Sequence, residues 1–262
     1  MGPTNVQTIK ALSEPAAISS VPSEYAFVTK PNDLANPNDP DHSIPIIDLS
    51  LLTCGSPQQR STILYDLKRA FEDWGFFMVI NHGVEERVMK GMLHMREAFF
   101  DLRDDDEKEF QGTADNVLDP IKCGTSSNVA IDNVLLWRDF IKVISHPHFN
   151  SPHKPLGFSE AAAISDTLGL EADYIAKATN WDEGLQLLAA NYYPACPEPE
   201  RAIGIPPHTD HGLVSLLIQN QRGGLQVLHK GKWVNWDAVP NSYVVILGDQ
   251  MQVLTNDTHK SV

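Results

Sequence analysis

Pro206-Pro207-His208-Thr209-Asp210-His211-Gly212 runs straight into the apolar stretch Leu213-Val214-Ser215-Leu216-Leu217-Ile218. On a strand, side chains two positions apart point the same way, so His208 and Asp210 are expected to aim together into a barrel mouth. An imidazole beside a carboxylate suits Fe(II), and a third ligand would complete one face while leaving positions open for small molecules. A lone His-x-Asp is common by chance. Here a Pro-Pro bend precedes it and an apolar strand follows it.

Working outward, the C-terminal part reads as closely spaced short strands. They are Leu187 to Tyr192, Gly212 to Ile218, Leu225 to Leu228, Lys232 to Trp236 and Tyr243 to Leu247. Gln221-Arg222-Gly223-Gly224, Lys230-Gly231 and Pro240-Asn241 supply the turns between them, a pattern that indicates an all-β sandwich or roll. Trp233 and Trp236 are three apart and fall on opposite faces of a strand, so one of them is core.

The N-terminal part reads differently. Residues 1–43 are rich in Pro, Asn, Ser and Asp and are expected to form a loop-rich arm. Ile44-Pro45-Ile46-Ile47-Asp48-Leu49 is a short strand. Ser56 caps a helix, with Pro57 at its first position and Gln59 closing a capping box. Ile63, Leu64, Leu67, Ala70, Phe71 and Trp74 share its apolar face, and Gly75 ends it. Phe76 to Ile80 is a buried strand. A second helix from near Val84 carries Val88, Met92, Met95 and Phe99 as a core stripe. Trp137 to Ile144 reads as another strand and Ala161 to Leu170 as a short helix. His146, His148 and His153 lie in proline-rich loop and are read as surface histidines. The acidic run from Asp101 to Glu109 is a solvated helix end.

The chain has 262 residues, 42% of them hydrophobic and 21% charged, ordinary for a globular protein. Its formal net charge of -14 offers no basic field for nucleic acid or an anionic membrane. Cys54, Cys123 and Cys196 are far apart and suggest reduced thiols, not a metal finger or a disulfide framework. Cys196 is read as a packed thiol. The N-terminus has neither an apolar signal core nor a myristoylation pattern, so a cytoplasmic location is expected.

Several stretches together resemble the plant 2-oxoglutarate- and Fe(II)-dependent dioxygenases. They are Ile44 to Leu49, Trp74-Gly75-Phe76-Phe77, Val79-Ile80-Asn81-His82-Gly83, Trp137-Arg138-Asp139, Asn191-Tyr192-Tyr193-Pro194-Ala195-Cys196-Pro197-Glu198-Pro199, His208-Thr209-Asp210, Gly223-Gly224-Leu225-Gln226-Val227 and Gly248-Asp249-Gln250-Met251. The resemblance implies an α+β, mainly β fold: a double-stranded β-helix (jelly roll) core with a helical N-terminal region. It implies an arm over 1–43, an N-terminal region over 44–160, a short helical connector over 161–184 and the jelly-roll domain over 185–262. It implies Fe(II) on His208 and Asp210, with Asn191 and Tyr193 lining the 2-oxoglutarate pocket and Tyr192 turned to the core. O2 and ascorbate complete the expected cofactors. The expected partner is a small aromatic or hormone-like molecule, hydroxylated or desaturated. His82 is expected to be structural, and His211 to have a surface or supporting role.

The family pattern continues past a Lys-Ser-Val to a distal iron histidine and then an Arg-x-Ser pair that clamps 2-oxoglutarate. Here Asn256-Asp257-Thr258-His259-Lys260-Ser261-Val262 closes the sequence. That reading makes the jelly roll incomplete at its C-terminus. It sets a non-catalytic isoform that binds or regulates beside the enzyme as the alternative. It also expects a poorly stable chain, because strands left without neighbours expose their edges. His259 could replace the missing ligand only by a register shift that would flip an apolar face. An internal deletion is expected near residues 158–163, where the family has a longer helix.

Overall fold

The computed structural model describes residues 8–13, 18–27, 36, 39–102, 110, 119–125, 134–148, 150, 152, 154, 184–220 and 222–262. The expected helix over 161–170, the deletion near 158–163, His153 and most of the acidic run lie outside these residues. The chain divides into two compact units, one of residues 1–30 and 94–206, the other of residues 31–93 and 207–262.

The second unit is built around the capping box that the sequence announces. The Gln59 N–H donates to Ser56 Oγ at 3.3 Å, and the Ser56 N–H donates to Gln59 Oε1 at 2.9 Å. Two backbone donors at the helix start are satisfied reciprocally. Helices α1 (Ile9–Ser13) and α2 (Ser50–Thr53) precede this one, α3 (Pro57–Arg69). Its last turn widens into a π-helical segment, Ala70–Trp74, closed by Gly75 at φ 64°. Gly75 is required twice: its backbone is left-handed, and a Cβ there would overlap the Lys260 carbonyl oxygen.

The buried face of α3 differs from the expected one. Ile63, Ala70 and Trp74 are buried, but Leu64 is half exposed. Leu64 sits about 100° around the helix from Ile63, whereas Ala70, seven residues on, returns to within about 20° of it.

Helix α3 carries the chain across from β1 (Ile46–Asp48) to β2 (Phe76–Ile80), and a parallel pair requires such a crossover. β2 pairs antiparallel with β9 (Tyr243–Leu247), and β9 with β6 (Val214–Leu217), giving the order β1-β2-β9-β6. Phe76, Met78, Val227, Trp236 and Val244 form the core, with Leu217 and Val262 against it. Each such burial contributes about 1.5–3 kcal/mol. Trp236 is the core tryptophan of the pair that the sequence singled out. β7 (Gln226–His229) and β8 (Lys232–Asn235) form a hairpin. Lys230 and Gly231 both have positive φ, the requirement of a two-residue turn matched to strand twist.

The first unit holds an antiparallel sheet in the order β3-β4-β5, from β3 (Ile121–Gly124), β4 (Asp139–His146) and β5 (Gln186–Tyr192). One face carries Ile121, Cys123, Ile141, Val143, Leu188, Ala190 and Tyr192. They pack with Phe99 and Phe100 from the end of helix α4 (Glu86–Phe100). The stripe on α4 is shifted from the expected one: Met89, Phe99 and Phe100 are its buried residues.

Part of the N-terminal stretch, residues 8–13 and 18–27, is tied into the first unit. The Ile9 and Lys10 N–H groups donate to the Asp139 carboxylate at 2.9 and 2.8 Å, and Thr125 Oγ1 donates to it at 2.8 Å. Asp139 is buried, which raises its pKa, and these donors oppose that rise. Ile9, Val21 and Tyr25 then pack around Trp137, with Cys196 beside them as a packed thiol whose pKa burial pushes up. Among the described residues no helix is long and apolar enough to cross a membrane.

Candidate functional site

His208 and Asp210 do not lie on a strand. β6 begins only at Val214, and residues 207–213 form a loop leading into it. The two side chains nevertheless converge, with His208 Nε2 3.6 Å from Asp210 Oδ1.

The loop is held by the start of helix α5 (Asp249–Leu254). The Asp249 N–H donates to the Asp210 carbonyl at 2.7 Å, the Gly248 N–H to Leu213 O at 3.0 Å, and the Gln250 N–H to Gly212 O at 3.2 Å. Gly248 permits the approach. A Cβ at this position would overlap Gly212 O and lie 2.7 Å from Asp210 O, both rigid backbone atoms.

The Asp249 carboxylate adds a second clamp. It accepts from Thr209 Oγ1 at 3.2 Å and from Ser261 Oγ at 2.8 Å, and His211 Nδ1 lies 3.5 Å away. Ser261 first, then Thr209 and His211, hold the Asp249 pKa below the usual carboxylate range. Thus the residues on either side of Asp210 in the chain are tied to one carboxylate. Composition and periodicity gave no sign of this. The Gly248-Asp249 pair was visible in the sequence only as part of a family pattern.

Asp210 is also held below the ordinary carboxylate value. The close approach of His208 contributes most, burial opposes it, and Ser215 on β6 lowers it further. An ionised carboxylate oxygen and an imidazole nitrogen are a donor set for a borderline divalent ion. Two metal–ligand bonds of about 2.1 Å can span their separation. The residues present therefore fit Fe(II) as two neighbouring ligands. Among the described residues, no group of three or more His, Cys, Asp or Glu side chains is placed to hold a metal. His259 does not join the pair. Its ring lies against Phe71 at 5.1 Å, and its N–H donates to Thr255 Oγ1. His211, fully exposed, stands at the surface as expected.

Asn191 and Tyr193 belong to the other unit, at the end of β5. Tyr192 takes the core face and stacks on Phe100 with ring centroids 5.3 Å apart, as the alternation of the strand predicts. The ring of Tyr193 is half exposed and rests on Gly204, where a Cβ would come within 2.6 Å of it. Packing around the phenol raises its pKa, while the Arg138 charge and hydrogen bond oppose the rise.

His82 is structural. Its Nε2 lies 3.0 Å from the Asn241 carbonyl oxygen, and its Nδ1 accepts from the Val84 N–H. A histidine that the sequence reading missed is His229. It is buried and stacks on Trp74 at 3.7 Å, and among the described residues its Nε2 meets no hydrogen-bond partner. Burial depresses its pKa, Lys230 and His42 depress it further, and Asp73 and Asp41 oppose them.

Residues 184–262 match the 2OG-Fe(II) oxygenase superfamily, and residues 44–160 match the N-terminal family of the non-haem dioxygenase in morphine synthesis. The chain is 40% identical over 240 residues to 2-oxoglutarate-dependent dioxygenase 19 of Oryza sativa subsp. japonica, covering 85% of this chain and 71% of that protein. It is 34% identical to flavanone 3-dioxygenase 2 of the same plant, covering 85% of this chain and 68% of the relative. Among solved structures it superimposes on JOX2 in complex with 2OG, Fe and JA with a TM-score of 0.81 and 28% identity, covering 98% of this chain and 78% of that one. The fold is accordingly α+β with a double-stranded β-helix core.

Proposed function

Because this chain belongs to the plant 2-oxoglutarate- and Fe(II)-dependent dioxygenases, we propose that His208 and Asp210 hold the iron and that Asn191 and Tyr193 meet 2-oxoglutarate. The observation that carries this reading is the convergence of His208 Nε2 and Asp210 Oδ1 on a loop clamped by Gly248 and Asp249. Bound iron would supply the oxygen chemistry that couples decarboxylation of 2-oxoglutarate, giving succinate and CO2, to oxidation of a C–H bond.

The chain's own residues prepare that chemistry. Asp210 is held ionised and ready to bind a cation, and His208 presents Nε2 beside it. The backbone bonds from Gly248, Asp249 and Gln250 hold the loop before any ion arrives, so little ordering remains when it binds. Tyr193 and Asn191 offer a phenol and an amide, which suit the oxygens of a keto acid.

The substrate is a small plant metabolite of secondary or hormone metabolism. A relative named flavanone 3-dioxygenase 2, and a structural neighbour solved with JA, support that class. The test is succinate release from 2-oxoglutarate with Fe(II), O2 and ascorbate. The expected result is turnover abolished by His208→Ala. Equal release from both proteins would sink the assignment.

A further inference from the structure

The sheet β3-β4-β5 has a second face, opposite its packed one. Strand alternation and register place Lys122, Gly124, Phe140, Lys142, Ile144, Leu187, Ala189 and Asn191 on it. Lys122 pairs with Lys142, Lys142 with Ala189, Ile144 with Leu187, and Phe140 with Asn191. Arg138 and Lys142 bracket the Phe140 ring, their charges 5.4 and 6.0 Å from its centroid. Arg138 also reaches Tyr193. Three basic side chains thus gather on one sheet face of a chain whose net charge is -14.

The gathering has a cost. Like charges directly opposite each other on a sheet repel. Lys142 is exposed, yet partial desolvation first, then Arg138, then Lys122 lower its pKa toward the neutral amine. A ligand carrying negative charge would reverse that balance. Beside the cations the face is apolar. Leu187 is 55% exposed and sits opposite Ile144, and half of the Tyr193 ring is open. A short dicarboxylate has little to offer those surfaces. An acid with an apolar skeleton matches both halves.

We infer that this face recognises an organic acid, its carboxylate at Lys142 and its apolar body along Leu187 and Ile144. On the dioxygenase reading, that acid is a second ligand, distinct from 2-oxoglutarate. Lys142 acts as a specificity residue: its ammonium, 6.0 Å from the Phe140 ring centroid, is the group that meets the acid.

The test is calorimetric titration of the full chain with cinnamate, phenylacetate and octanoate, each against its primary amide. Lys142→Met, Lys142→Arg and His208→Ala are compared with the unaltered chain, and thermal transitions confirm that each is folded. The expected result is at least one acid bound about tenfold more tightly than its amide, the scale of one hydrogen bond to a charged group. Lys142→Met should erase that preference, Lys142→Arg should restore most of it, and 2-oxoglutarate affinity should not move. Acids and amides bound alike, or no binding across the whole panel, overturns the inference. So does a Lys142→Met variant that loses 2-oxoglutarate instead. His208→Ala separates the two readings. If the iron assignment alone is wrong, the acid preference persists while metal binding is the same with and without His208.

Discussion

The two residue pairs that carry the proposed chemistry are held in opposite ways. Asn191 and the approach to Tyr193 sit on β5, where register against β4 fixes which residues face the core and which do not. His208 and Asp210 sit on a loop, fixed by backbone bonds to Gly248, Asp249 and Gln250 and by one carboxylate that gathers Thr209, His211 and Ser261. A sheet distributes its constraint over many equivalent bonds. The loop concentrates it in a few residues some forty positions away, so single substitutions there should reach the metal pair while comparable ones in the sheet should not.

The largest contrast is between two glycines. Gly248→Ala would drive a methyl group into two backbone oxygens, whereas at Gly124 in β3 the nearest atom is a Phe140 ring carbon at 3.7 Å. Gly248→Ala should destabilise the chain by about 3 kcal/mol or more and abolish Co(II) binding, while Gly124→Ala should stay within about 1 kcal/mol. Urea unfolding with Co(II) titration measures both. Two glycines that behave alike would break the comparison.

Next in size, Asp249→Ala should leave the loop's backbone bonds in place but release its side-chain anchors. Outer partners of metal ligands are typically worth about 10–100-fold in affinity. A Co(II) affinity about tenfold weaker is expected, with Asp249→Asn recovering part of it, because an amide oxygen still accepts from Ser261 or Thr209. Unchanged Co(II) affinity in the alanine variant would show that the backbone bonds suffice.

A smaller effect is expected from Gly204→Ala, which would push the Tyr193 ring from its seat. The 2-oxoglutarate affinity should fall a few-fold while Co(II) affinity holds. Movement in both would mean that the pairs are coupled.

The smallest effect concerns acid stability. The folded His229 has a depressed pKa, so its contribution is fully present above the unfolded value of 6.5 and is lost as pH falls below it. His229→Phe keeps a ring against Trp74. The variant should lose less stability than the unaltered chain between pH 7 and pH 5, as read by thermal unfolding. Parallel curves would remove His229 from the account.

What could be read from the sequence follows the range of the interactions. The capping box of Ser56 and Gln59, the short strands, the Lys230-Gly231 turn and the inward Tyr192 depend on neighbours in the chain, and all are where periodicity and turn chemistry put them. Long-range bonds were silent. Nothing in residues 1–43 says that Asp139, about 130 positions away, takes the N–H groups of Ile9 and Lys10. Likewise alternation predicts His208 and Asp210 on one side of a strand, and the two side chains do converge, but on a loop. The pairing that defines a strand begins only at Val214, because the carbonyls of Asp210, Gly212 and Leu213 are taken by α5 and the residue before it. The histidine considered as a third ligand fell short for the same reason: the turn after α5 sets His259 against Phe71.

The most direct test of the central claim is a Co(II) titration of the full chain, followed by visible absorbance and calorimetry, beside His208→Ala and Asp210→Ala variants shown to be folded. Saturable binding of one ion per chain, lost in either variant, is the predicted result. Binding that survives in both variants would contradict it and place the metal elsewhere.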